Sequence, residues 1–187
     1  ARNDGLNLWK KLTLDYSYNS MGYLNELTYP DETAPVKYSP NGFGQATQAI
    51  RFDGTTINSE FVKAGASYWP NGIVNTFVYG NGYVHKTELN DRLLPQSISD
   101  VSGSTDAVSL SYRYDNNSNV IQITNHREPN YSLTSLTYDG LDRLTATTGA
   151  IIGIGSSRIT YDGIGNIRSY NNDNVANGHS YIYKYGS

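Results

Sequence analysis

Three histidines, His85, His126 and His179, are the only imidazoles in this 187-residue chain. A general base or a zinc ligand needs a carboxylate, a serine or a second imidazole fixed beside it. No such partner lies at a recognisable spacing from any of the three. Asp115-Asn-Asn117-Ser-Asn119 copies positions 1, 3 and 5 of a calcium loop. Position 6 is then Val120 where Gly makes the bend, and position 12 is His126 where a bidentate Glu is needed, so the run reads as a turn. Gly149-Ala-Ile-Ile-Gly153-Ile-Gly155-Ser-Ser-Arg158 has the glycines of a phosphate loop. It lacks a Lys-Ser/Thr pair, a third glycine at fingerprint spacing and a helix to follow, and reads as a hairpin connection. The 12 Asp fall mostly at turn positions, and spacing assigns no pair of them to acid–base work. Asn116 and Asn130 open formal glycosylation sequons. Trp9 and Trp69 are candidate glycan contacts, because exposed indole faces stack on sugar rings. The alternative for both is packing within a sheet. No catalytic, metal-binding or cofactor-binding residue is expected.

The composition narrows the classes further. Cys is absent, which excludes disulfides, thiolate zinc sites and a thiol nucleophile. Lys plus Arg total 14 against 17 Asp plus Glu, a net charge of −3, without the basic surplus of a nucleic-acid binder. No apolar run approaches the roughly 20 residues of a membrane helix, and ARNDGLNLWK at the start has no signal-peptide core. Any export address is expected outside this segment. The outlier is Tyr, 17 residues, beside 18 Gly and 20 Asn. Tyr favours strands while Gly and Asn favour turns.

The elements that would position these residues repeat along the chain. Tyr112-Arg-Tyr-Asp115, Leu136-Thr-Tyr-Asp139, Ile159-Thr-Tyr-Asp162 and Tyr183-Lys-Tyr185 align, with steps of 24, 23 and 24 residues between Tyr114, Tyr138, Tyr161 and Tyr185. Degenerate copies surround Tyr18, Tyr38, Tyr68 and Tyr79, with insertions expected around 46–64 and 88–108. In Tyr-x-Tyr-Asp the aromatics at i and i+2 share one face of a strand, and the Asp ends the strand by bonding backbone N–H groups ahead of it. Gly or Asn then supplies a positive φ, and the chain returns as a short β-prone run. Pro30, Pro40, Pro70, Pro95 and Pro129 are expected at turns. No helix-length apolar stripe is present, so the fold class is all-β, tandem antiparallel β-hairpins in a curved, spiralling sheet. With a hydrophobic fraction of 37%, tyrosine ladders are expected to replace an aliphatic core. The whole chain, 1–187, reads as one array, clearest over 110–187 and degenerate over 12–87, ending inside a repeat. Its unpaired end strands invite edge-to-edge self-association.

Tyr-x-Tyr-Asp-x-x-Gly-Asn at 159–166, its relative at 136–143 and the Asn-Gly variants at 68–72 and 79–82 resemble the YD repeats of RHS-repeat proteins. That group includes bacterial Rhs polymorphic toxins, the B and C components of insecticidal toxin complexes, wall-associated proteins and teneurins. The resemblance implies a secreted or cell-surface location and a β-shell that encloses a C-terminal effector. The implied partners are the remaining YD repeats and that effector. The family's autoproteolytic core has no matching motif here, so no catalytic residue carries over. Two functions stay open, a non-catalytic shell segment and an extracellular module that adheres to cell-surface glycans.

Overall fold

The computed structural model describes residues 12–30, 34–151, 155–172 and 180–184. Strands β1 (Asp15–Tyr18), β2 (Leu24–Thr28), β3 (Val36–Lys37), β4 (Ala49–Phe52) and β5 (Ile57–Val62) form one sheet in chain order. A second sheet, also in chain order, comprises eleven strands. They are β6 (Ser67–Tyr68), β7 (Val74–Val78), β8 (Val84–Leu89), β9 (Pro95–Ser102), β10 (Thr105–Tyr114) and β11 (Val120–Asn125), then β12 (Leu133–Tyr138), β13 (Leu144–Gly149), β14 (Ser157–Tyr161), β15 (Ile167–Asn172) and β16 (Ser180–Ile182). Neither sheet closes on itself. The only helix among the described residues is one 3-10 turn at Pro129–Tyr131. The all-β hairpin array read from the motifs is therefore the fold. By contacts the chain divides into two compact units, Ala1–His85 and Lys86–Ser187.

Both stretches expected as insertions are hairpins. Asp53 folds the chain between β4 and β5, its Oδ1 accepting from the backbone N–H groups of Thr55 and Thr56 at 2.9 and 2.8 Å. Asn90 does the same between β8 and β9, accepting from Arg92 and Leu94 N–H at 2.9 and 3.1 Å. Pro95 does not sit in that turn but opens strand β9, where a missing N–H is tolerated.

The packing is thin. Among the described residues only Ala34, Val36 and Ile50 are buried apolar side chains, and Thr87, Thr147, Ser157 and Asn172 are buried polar ones. A single-layer sheet has no second layer to bury against, so its stability must come from strand pairing and from contacts between consecutive hairpins. Stacked tyrosines contribute less than expected. Tyr170 and Tyr181 meet across β15 and β16 with centroids 6.4 Å apart, whereas other tyrosines turn their hydroxyls onto backbone carbonyls. Backbones also approach closely in places. A Cβ on Gly80 would lie 1.6 Å from the Glu60 carbonyl oxygen, so only glycine fits beside β5 there.

Candidate functional site

The repeated chemistry of this chain resides in its turns. Eight pentapeptides share one geometry: 19–23, 41–45, 69–73, 79–83, 90–94, 115–119, 139–143 and 162–166. In each, the N–H of position 1 donates to the carbonyl of position 5, and the N–H of position 4 donates to the carbonyl of position 1. Position 4 is left-handed in all eight: Gly22, Gly44, Gly72, Gly82, Leu93, Ser118, Asp142 and Gly165 have φ between 57° and 94°. This is the hairpin loop that pairs a tight turn with a left-handed residue. The glycine after the YD aspartate, Gly140 or Gly163, is not the left-handed one. Three turns place a side chain where the motif leads one to expect only Gly or Asn.

Position 1 locks the loop. The Oδ1 of Asn19, Asn41, Asn90, Asp115, Asp139 and Asp162 accepts from the N–H groups of positions 3 and 5 at 2.8–3.1 Å. The second oxygen of each aspartate takes the side chain of position 5. Asn119 Nδ2 reaches Asp115 Oδ2 at 3.1 Å, Arg143 Nε reaches Asp139 Oδ2 at 2.8 Å, and Asn166 Nδ2 reaches Asp162 Oδ2 at 3.0 Å. These contacts hold the carboxyls below their ordinary range. The Arg143 side chain is the main cause at Asp139. At Asp115 and Asp162 partial desolvation pulls upward, and it is outweighed by the hydrogen bonds from Asn119 and Asn166 together with the N–H groups of Asn117 and Ile164 and the charges of Arg92 and Arg168.

Consecutive units are tied by two further sets of bonds. The hydroxyl of the tyrosine before a turn donates to the first carbonyl after the preceding pentapeptide: Tyr114 to Pro95 at 2.7 Å, Tyr138 to Val120 at 2.8 Å and Tyr161 to Leu144 at 2.8 Å. Tyr68 follows the same rule, donating to Ala46 at 2.6 Å. Desolvation raises the phenol pKa of Tyr114 and Tyr138, with the charges of Tyr112 and Asp115 adding to it respectively. The return strand carries one extra residue at the same place in five hairpins, Asn25, Asn75, Ile121, Thr145 and Arg168, which shifts the register beside the tyrosine. Such bulges re-aim neighbouring side chains and deepen the twist.

The second set joins turn to turn in the unit Lys86–Ser187. Arg92 donates to the carbonyls of Asp115 and Asn116 at 2.8 and 3.2 Å. Asn117 and Asn119 donate to Asp142 Oδ1 at 3.0 and 2.7 Å, which gives left-handed Asp142 a use for its carboxylate. Arg143 lies over the Tyr161 ring at 4.4 Å and reaches the Asp162 carbonyl at 3.4 Å. Asn119 and Arg143, both at position 5, thus clamp their own turn and the next one, a role no spacing in the sequence announces.

The remaining candidates fall as follows. His126 Nε2 lies 2.8 Å from Ser111 Oγ on an exposed face, so a serine partner does exist, on the neighbouring strand. Among the described residues no carboxylate bonds the other ring nitrogen of His126. His85 stacks on Phe77, centroids 4.6 Å apart. Asp115 spends its oxygens on turn N–H groups and Asn119, not on a calcium-type array. The connection expected within Gly149–Arg158 runs through residues 152–154, which lie outside the described residues, and on the strands beside it Thr147 Oγ1 and Ser157 Oγ are 2.8 Å apart. Trp9 and His179 lie outside the described residues. Trp69 is position 1 of a turn and lines a groove of about 800 Å³ with Phe43, Gln45, Tyr68 and Asn71. No helix among the described residues is long and apolar enough to cross a membrane.

No family model and no curated protein matches the chain. Solved structures do. The chain superposes on the Photorhabdus luminescens Tc holotoxin pore with a TM-score of 0.71 at 19% identity, covering 89% of this chain and 9% of that one. Against TcdB2–TccC3 without its hypervariable C-terminal region the TM-score is 0.74 at 19% identity, covering 90% and 9%. Against TcdB2–TccC3–Cdc42 it is 0.72 at 18%, covering 90% and 10%. The chain spans about a tenth of the length of these toxin chains, and shares their hairpin-strip fold over nearly all of its own.

Proposed function

We propose that this chain is a wall segment of an Rhs-type toxin shell, a strip of YD hairpins that helps enclose a C-terminal effector and acts by confinement, without catalysis. The observation that carries the reading is the double tie between units, tyrosine to carbonyl and turn to turn, on a fold similar to Tc toxin chains. A wall must resist opening between its courses, and between residues 90 and 166 the courses are joined by backbone pairing, by part-buried tyrosine hydroxyls and turn to turn. An enzyme would need a cleft with converging groups, whereas the charged side chains Arg92, Asp115, Asp139, Asp142, Arg143 and Asp162 bond within and between hairpin turns. The expected partners are further YD repeats and the effector of the parent protein, outside the cell that makes it.

The test uses the parent protein that contains this segment. Electron microscopy should reveal a hollow particle, and limited proteolysis should leave its C-terminal region intact until the particle is opened by denaturant. An extended, unenclosed array whose C-terminal region is cut at the rate of a free peptide would overturn the reading.

A further inference from the structure

The five-stranded sheet carries a cup whose chemistry the repeated turns do not use. Val36 pairs with Arg51, and Tyr38 and Ala49 follow them at two-residue spacing, so all four side chains share one face. Tyr29 joins them two residues beyond Leu27, which also pairs with Val36. Phe61 arrives differently. Ala49 pairs with Val62 and Ile50 with Glu60, which leaves Phe61 as the extra residue of a bulge in β5. Bulges re-aim side chains, and the Phe61 ring here lies 5.8 Å from the Arg51 guanidinium. These residues line a cavity of about 520 Å³, within the roughly 300–1,000 Å³ of small-ligand sites. Its floor is apolar and its rim aromatic: Val36 is 5% exposed, whereas Tyr29 and Phe61 are 44% and 47% exposed.

We propose that this cup binds a small apolar monocarboxylate, its carboxylate accepting from Arg51 and Tyr29 and its aliphatic or aromatic body lying on Val36, Ala49 and Phe61. Arg51 is the only charged residue among the described residues that line the cup. A guanidinium carries five N–H donors in a planar fork, enough to take a carboxylate by two parallel bonds and still keep a neighbour. On the opposite face the cation Lys37 is engaged within the sheet, by Glu26 at 3.2 Å and by the Phe52 ring at 4.5 Å. The Tyr38 hydroxyl bonds to Tyr29. Desolvation first, and then that bond, raises the Tyr38 phenol pKa, which marks Tyr38 as the donor and directs the Tyr29 proton to a third oxygen. One cation suits one negative charge. A phosphate monoester or a dicarboxylate brings a second charge, with no second cation among the described lining residues. An extended peptide is a poorer fit, since β3 and β4 are each paired on both sides and offer no edge to add to.

The experiment titrates the 187-residue chain by calorimetry with phenylacetate and 4-methylpentanoate as free acids, and with N-acetyl-phenylalanine, which carries the carboxylate of a polypeptide C-terminus. Whichever kind binds tighter identifies the source of the ligand. Phenylacetamide is the neutral control. The carboxylates should bind below about 10 mM, and phenylacetamide about tenfold more weakly or worse, because hydrogen bonds to a charged group are the stronger ones. Arg51→Gln should weaken binding by about tenfold or more, and Tyr29→Phe, which keeps the rim ring, by about fivefold. Lys37→Gln, on the opposite face, should leave the affinity unchanged. If Arg51→Gln does not fold, Tyr29→Phe and the amide control decide the matter. Three results would each overturn the proposal: no carboxylate bound at about 10 mM; phenylacetamide bound as tightly as phenylacetate; or an affinity unchanged by Tyr29→Phe and by any folded Arg51→Gln. None of them bears on the shell reading, which is tested on the parent particle.

Discussion

Replacing Tyr114, Tyr138 and Tyr161 with Phe tests whether the tyrosine hydroxyls hold the hairpins together. Each change removes one hydroxyl that donates to a carbonyl of the preceding unit at 2.7–2.8 Å and leaves the ring in place. One such bond contributes about 1 kcal/mol net. The three bonds join different hairpin pairs, so their losses should add to about 3 kcal/mol. For a chain of this size that lowers the melting temperature by roughly 6–12 °C. The loss should also be local. In Tyr138→Phe alone, amides of β11 and β12 should exchange with deuterium about fivefold faster, the factor equivalent to about 1 kcal/mol. Tyr112→Phe is the control, since the Tyr112 phenol is raised by desolvation but has no hydrogen-bond partner among the described residues. Urea melting by circular dichroism and exchange by mass spectrometry give both readouts. The reasoning is refuted if the triple variant loses no more stability than Tyr112→Phe, or if exchange in β11 and β12 is unchanged.

Asp139→Ala should lower the melting temperature by a few degrees, roughly 2–4 °C, and Asp139→Asn by much less, because Asn caps the equivalent turns at Asn19, Asn41 and Asn90; equal losses would show that the cap is not the cause. Ser118→Gly should stabilise by about 0.5–1 kcal/mol, the relief of a side chain at φ 73° less the entropy of glycine, and a lower melting temperature would contradict that. Folded-state carboxyl pKa values are depressed at Asp115, Asp139 and Asp162, and at Asp53 the Thr56 and then Thr55 N–H groups bring the value to about 2. Their stabilisation is full above the unfolded value near 4 and is lost as pH falls through their depressed folded values. The raised phenols of Tyr112, Tyr114 and Tyr138 act oppositely: their contribution is full below about pH 10 and is lost as pH rises through their folded values. Thermal melts across pH should therefore fall at both ends, and a flat acid limb would count against the Asp caps.

The units at Tyr114, Tyr138 and Tyr161 were the clearest because of their Tyr-Asp step at a regular spacing, and the degenerate ones at Tyr18, Tyr38, Tyr68 and Tyr79 were legible through the glycine at position 4, which adopts that φ without cost. The turn at Asn90 was not, because Leu93 bears no mark of a left-handed residue and the flanking strands lack the tyrosine pair. The span 88–108 consequently reads as an insertion when it contains the turn onto β9 and the first half of the longest hairpin. The ties between units were illegible for a different reason. Arg143 and Asn119 meet their second partners 19 and 23 residues away, across a boundary whose alignment depends on strand register and on a bulge that no residue type signals. Trp69 was readable as an aromatic at a turn, but the groove beside it arises with a second turn 28 residues earlier in the chain.

The tyrosine tie spans 19, 18, 17 and 22 residues in its four described occurrences, yet donor and acceptor occupy the same places relative to their turns each time. The bond is indifferent to how far the chain travels in between. Residues can be gained or lost at the far ends of the hairpins, where β-strands differ in length from two residues to ten, without disturbing the row of turns. One margin of the strip is therefore under strict geometric control while the other is free to vary in length, and inheritable changes in size and outline should accumulate along the free margin alone.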